Sequence, residues 1–264
     1  LQSLPGENGE VDHKMPAEQW NNITADDINK GIVMVDGDGN EFVWIPITDS
    51  SKFARVAWTT AFGYDESGKW QSGTLTTPHP LSEEISPTVG WWEEKNTSEY
   101  TNMVNSVKLN KGFYVARYEA SKNSDSTKAQ SKRNQTAWVK ISQLDAITKS
   151  ANYNTKLHSH LMYGIEWDSI LNWLNGNAKI STSTSATTNI ERKTMDESDL
   201  QTNASSWGNY ANSTGNAKTN SGSKQTTGKS EYWKANNIYD IAGNINEWTQ
   251  EKWSTGAYRT YRGG

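Results

Sequence analysis

One stretch near the end of the chain, Asn237-Ile238-Tyr239-Asp240-Ile241-Ala242-Gly243-Asn244-Ile245-Asn246-Glu247-Trp248-Thr249, constrains the fold more than any other. It sets oxygen-bearing side chains, a Gly-Asn turn and a large aromatic in a tight order. A Gly-Asn pair allows the left-handed backbone a sharp reversal needs. Asp240 and Glu247 supply carboxylate oxygens, and Gly243 and Ile245 can offer main-chain carbonyls on the same turning segment. An all-oxygen set is what a calcium ion prefers. The plain alternative is a turn held by hydrogen bonds alone, with Trp248 filling the core.

The rest of the 264-residue chain suits a globular domain with many loops. Hydrophobic residues make up only 33%, but the 13 Trp and 11 Tyr each bury a large area. The net charge of −4 is interspersed, so no basic block marks a nucleic-acid surface. No apolar run approaches the roughly 20 residues of a membrane span. Leu1–Gly6 does not read as a signal peptide, and an export segment could precede it. With no cysteine, disulfides, thiolate metal sites and cysteine nucleophiles are excluded within these residues. Of His13, His79, His158 and His160, only the last two are neighbours. They read as surface or hydrogen-bonded structural histidines more readily than as a metal pair.

Residues 1–30 read as an extended arm and 31–264 as one domain. Gly31–Val35 and Glu41–Ile47 flank the cluster Asp36-Gly37-Asp38-Gly39-Asn40, a hairpin signal. The Asp-x-Asp-x-Asn spacing also suits a calcium loop, but no Glu follows at EF-hand spacing, so a plain turn is expected. Residues 48–106, with Trp58, Trp70, Trp91 and Trp92, read as long loops with short strands. Gly112–Ser121 reads as a strand, residues 122–134 as a loop and Trp138–Ile141 as a short strand. Ser142 is an N-cap, with Asp145 in the capping-box position. In Gly164–Leu174, Trp167, Ile170, Leu171 and Leu174 recur at i, i+3, i+4 and i+7, a helix with one buried stripe that Gly176 ends. Residues 176–230 read as a long polar loop containing Trp207 and Tyr210.

Four segments resemble, in order, the formylglycine-generating enzyme (sulfatase-modifying factor) family. They are Gly112–Ser121, with its Tyr118-Glu119-Ala120-Ser121 ending, the Tyr163–Leu174 helix, Asn237–Thr249, and Arg262-Gly263-Gly264. Together they cover roughly residues 107–264, and the hairpin up to Ile47 is similar to the family's opening strands. The resemblance implies an α+β, C-type-lectin-like fold: a twisted, mostly antiparallel sheet, one or two helices and much irregular loop. It also implies a structural calcium ion at Asp240, Gly243, Ile245 and Glu247, where the family often has a neutral amide in place of Asp240. The family's closing strands would follow Gly264, so the resemblance implies a domain lacking its closing segment, with a sheet edge left for a tail or a partner chain.

The family's oxidising branch works with two cysteines and copper, in a segment that would follow Gly264. Its iron-binding relatives need a helical His motif that His158 and His160 do not form. Other members are non-catalytic, and Gly39-Asn40-Glu41-Phe42-Val43-Trp44-Ile45-Pro46 is similar to a segment of pilin-associated surface proteins. The expected function is a lectin-like binding or adhesion module on a bacterial surface, pilus or phage particle. Its ligand would be a glycan or a protein, and it would bind no nucleic acid. One alternative is a formylglycine-generating-type oxidase, if cysteines follow Gly264. The other is a structural pilus or virion subunit.

Overall fold

The computed structural model describes residues 24–56, 58, 62–64, 70–72, 82–83, 90–181, 192–201, 204–214, 217, 222–252 and 259–263. His13, His79 and the side chains of Trp70, Trp91 and Trp92 lie outside the described residues. In chain order the elements begin with helix α1 (Ala25–Lys30), strands β1 (Val33–Val35), β2 (Glu41–Pro46), β3 (Phe62–Tyr64), β4 (Trp70–Ser72) and β5 (Ser82–Glu83), and helix α2 (Gly90–Asn110). Then come β6 (Gly112–Ala116), β7 (Ser121–Lys122), β8 (Ala129–Gln130), α3 (Gln143–Ala151), α4 (Gly164–Leu174), β9 (Lys179–Ser181), β10 (Arg192–Thr194) and α5 (Glu197–Gln201). The last are β11 (Lys234–Ala235), β12 (Ile238–Tyr239), β13 (Asn246–Lys252) and β14 (Arg259–Gly263). The class is α+β, built from small antiparallel sheets and a few helices. No described helix is long and apolar enough to cross a membrane.

The expected hairpin forms. β1 and β2 pair with Val33 opposite Val43 and Val35 opposite Glu41. The intervening loop is a plain turn. Asp36 accepts from the backbone N–H of Asp38 and Asn40 and from the Asn40 amide, and the Tyr153 hydroxyl also donates to it. Those donors satisfy both Asp36 oxygens. β2 then pairs with β6, setting Trp44 against Tyr114 with ring centroids 4.8 Å apart. Gly112 is required beneath them, because a Cβ there would lie 2.3 Å from the Trp44 ring. The strand expected over Gly112–Ser121 is shorter, ending at Ala116, and Trp138–Ile141 forms no strand. Within the expected loop of 122–134, β7 and β8 make a small hairpin.

Three departures concern helices. Residues 25–30, expected as part of an extended arm, form α1 behind a Thr24–Asp27 capping box. Residues 90–110, mostly expected as loop, form α2. Tyr100, Met103, Val104 and Val107 turn one stripe of it toward the core. The long polar stretch from 176 contains the β9–β10 hairpin and α5, and Trp207 is buried.

The two helices expected from the sequence form. Ser142 Oγ accepts from Asp145 N at the start of α3. α4 is buried nearly all round, beyond its expected stripe, since only Asn172 is exposed. It packs against β2 and β13, and Ile170 and Leu174 join Val43, Ile45 and Tyr163 at the centre of the core.

A carboxylate-lined turn as the candidate site

β11 and β12 form a tight hairpin, and the chain then turns through Asp240, Gly243 and Asn244, all with positive φ (58°, 79° and 66°). Asp and Asn tolerate that region better than most residues do. Gly243 has no substitute, because a Cβ would lie 2.4 Å from the Asn209 backbone. That close approach is a short parallel bridge: Asn209 N donates to Ala242 O at 3.1 Å, and Asn244 N donates to Asn209 O at 3.0 Å. The Asn244 side chain fastens the turn on two sides. Its Oδ1 accepts from Gln225 N and Asn209 Nδ2, and its Nδ2 donates to Glu119 Oε2.

All four expected site residues, Asp240, Gly243, Ile245 and Glu247, lie on this one segment. Asp240 is 1% exposed; its Oδ2 accepts from Gly228 N at 2.6 Å, while its Oδ1 has no partner. Both Glu247 carboxylate oxygens are buried without a donor. Buried oxygens without partners are costly in a native interior and point to a missing cation, water or proton.

A third carboxylate completes the cluster. Glu119, just beyond β6, accepts from Ile245 N at 3.1 Å as well as from Asn244. Its carboxyl also lies close enough to Glu247 for the two groups to perturb each other. Sequence reasoning did not place it here; its only signal was its position in the Tyr118–Ser121 pattern. Burial pushes Glu119 and Glu247 above the usual carboxylate range; Asp240 pushes both further and Glu119 also raises Glu247, while the hydrogen bonds Glu119 accepts pull it partly back. Burial likewise raises Asp240 to about 6, against the pull of the Gly228 N–H and Arg133. Among the described residues, no three His, Cys, Asp or Glu side chains could hold a metal ion by themselves. A cation here would therefore also draw on main-chain oxygens.

Two further clusters pair buried acids with basic side chains. Arg55 bonds Asp168 at 2.7 Å and Glu251 at 2.6 Å, and Arg262 bonds Glu251 through Nε at 2.9 Å and through Nη2. Both acids are fully buried. At Asp168 burial prevails and the carboxyl is raised; at Glu251 the two guanidinium groups prevail and it is lowered. His160, near the start of α4, sets Nε2 at 3.0 Å from Glu166 and Nδ1 at 2.9 Å from the His158 carbonyl. Burial opposes its charge, but Glu166, the His158 carbonyl and Glu99 outweigh it and push the imidazole up to about 9. Acceptors at both nitrogens favour the protonated ring, and His160 is one of the hydrogen-bonded histidines expected from the sequence.

The turn forms one wall of a cavity of about 1060 Å³ whose lining includes Phe42, Trp44, Tyr114, Trp138, Tyr153 and Trp248. Trp248 flanks the core without being fully enclosed, and its Nε1 donates to Ile141 O. Glu119, Ile245 and Glu247 line the same cavity.

Comparison of the chain with protein-family models, curated proteins and solved structures returns no match in any of the three.

Proposed function

We propose that the chain is a non-catalytic, lectin-like binding or adhesion module of a bacterial surface, pilus or phage particle. Its domain would be of the sulfatase-modifying-factor type, with a C-type-lectin-like fold. The observation that carries this reading is the aromatic-walled cavity beside the carboxylate turn. A large, mainly apolar cavity with a few fixed polar groups is the usual form of a ligand site. The four segments that carry the family resemblance also meet one another. Glu119 reaches the turn, and Asp168 of α4 lies 3.5 Å from Arg262.

A structural calcium ion belongs to this reading, and the residues present fit it. The donor set is all oxygen, and Asp240 Oδ1 and both Glu247 oxygens are buried and unpartnered. Asp240 and Glu247 would hold the ion with the Gly243 and Ile245 carbonyls. Bound calcium supplies charge that fixes the turn, and with it one wall of the cavity; no reaction takes place there.

The test is a screen of the intact protein against glycan arrays and extracellular host proteins, in calcium and in chelator. The reading expects saturable binding to one ligand class, weakened in chelator and lost in Trp138→Ala. A screen with no binder in either condition contradicts it.

A further inference from the structure

Asp240, Gly243, Ile245 and Glu247 form a continuous segment, but Glu119 reaches it from a different part of the chain. One of its oxygens holds the Ile245 amide and the other holds the Asn244 side chain. These two anchors sit between Gly243 and Glu247, where the chain must keep its curvature for carbonyl and carboxylate oxygens to converge. Glu119 is itself 6% exposed, and it faces a second buried carboxyl whose oxygens have no donor. Like charges buried side by side oppose folding unless something positive or a proton lies between them.

We infer that Glu119 is a positioning residue of a divalent-cation site on this turn, tying it at Asn244 and Ile245 and setting a third carboxylate beside Glu247. The inference rests on the calcium reading above. Carboxylate and main-chain oxygens converging on one turn favour a doubly charged, hard cation over a monovalent one.

The experiment uses the intact chain, stripped with chelator and titrated with calcium chloride by isothermal calorimetry, with unfolding temperatures measured in chelator. Glu119→Gln keeps the length but replaces one acceptor oxygen with an NH2 donor, so it can hold only one of the Ile245 N–H and the Asn244 amide. The expected result is a fivefold or greater loss of calcium affinity, with the unfolding temperature falling further in calcium than in chelator. Affinity changed less than fivefold, whatever the unfolding temperature in chelator, overturns the inference and leaves the calcium reading intact. If the parent takes up no calcium at millimolar concentration, the calcium reading fails and the inference falls with it. Should Glu119→Gln not fold, Glu119→Asp decides. It keeps the charge but is too short to hold both Asn244 and Ile245, so a fivefold loss is again expected and unchanged affinity overturns the inference.

Discussion

Gly263 and Glu247 compete for one space: a Cβ on Gly263 would lie 1.9 Å from Glu247 Oε2. The two residues are neighbours across the β13–β14 ladder, in which Asn246 pairs with Gly263 and Glu247 with Arg262. The buried carboxylate thus leans over the one residue of the facing strand that has no side chain.

Replacing that glycine tests the relationship. Gly263 has a φ of 81°, so Gly263→Ala meets both backbone strain and the Glu247 oxygen. The expected cost is about 2 kcal/mol of unfolding free energy, read from urea denaturation. A cost near zero would mean that Glu247 moves aside freely and is not held against β14.

The Arg55–Asp168–Glu251–Arg262 cluster makes a second prediction. Both acids are fully buried, so removing one guanidinium strands charge in the interior. Arg262→Met is expected to lower stability by about 3–5 kcal/mol. A surface pair would lose no more than about 1 kcal/mol. Chemical denaturation distinguishes the two.

His160 gives the protein a pH dependence on the alkaline side. The groups facing it are Glu166, the His158 carbonyl, Glu99 and the ring of Tyr163, at a centroid distance of 5.4 Å. Its folded value, about 9, lies above the ordinary 6.5, so between those values the folded chain keeps a proton that the unfolded chain has released. The stabilisation is therefore complete below pH 6.5 and is lost as pH rises toward 9, at a limiting slope of about 1.4 kcal/mol per pH unit. Denaturation midpoints across this range should fall in the parent and fall less steeply in His160→Gln, where Glu119 and Glu247, whose carboxyls are also raised, keep part of the slope. A parallel fall in both would assign the slope to other groups.

What the sequence made legible follows from the range of each interaction. The hairpin around Asp36–Asn40, the Ser142 cap and the stripe of α4 are local patterns, and the structure repeats them. α2 was missed although Tyr100, Met103, Val104 and Val107 have helical spacing, because the polar residues around them dilute the signal. Asp240 and Glu247 were legible because one short turn carries both. Glu119 was not legible as a site residue, since only tertiary packing brings it to Asn244 and Ile245. The Glu166 partner of His160 was hidden for a related reason: the His-x-His spacing says nothing about the capping residue of the next helix.

The most direct measurement is the unfolding temperature of the intact chain in millimolar calcium and in chelator. A ligand at a hundredfold excess over its dissociation constant stabilises a fold by about 2.7 kcal/mol, worth roughly 5–10 °C for a domain of this size. The account predicts a rise of that order in calcium, smaller in Asp240→Asn and abolished in Asp240→Ala. Unfolding temperatures within about 1 °C of each other in calcium and chelator would contradict a cation site on the Asp240–Glu247 turn.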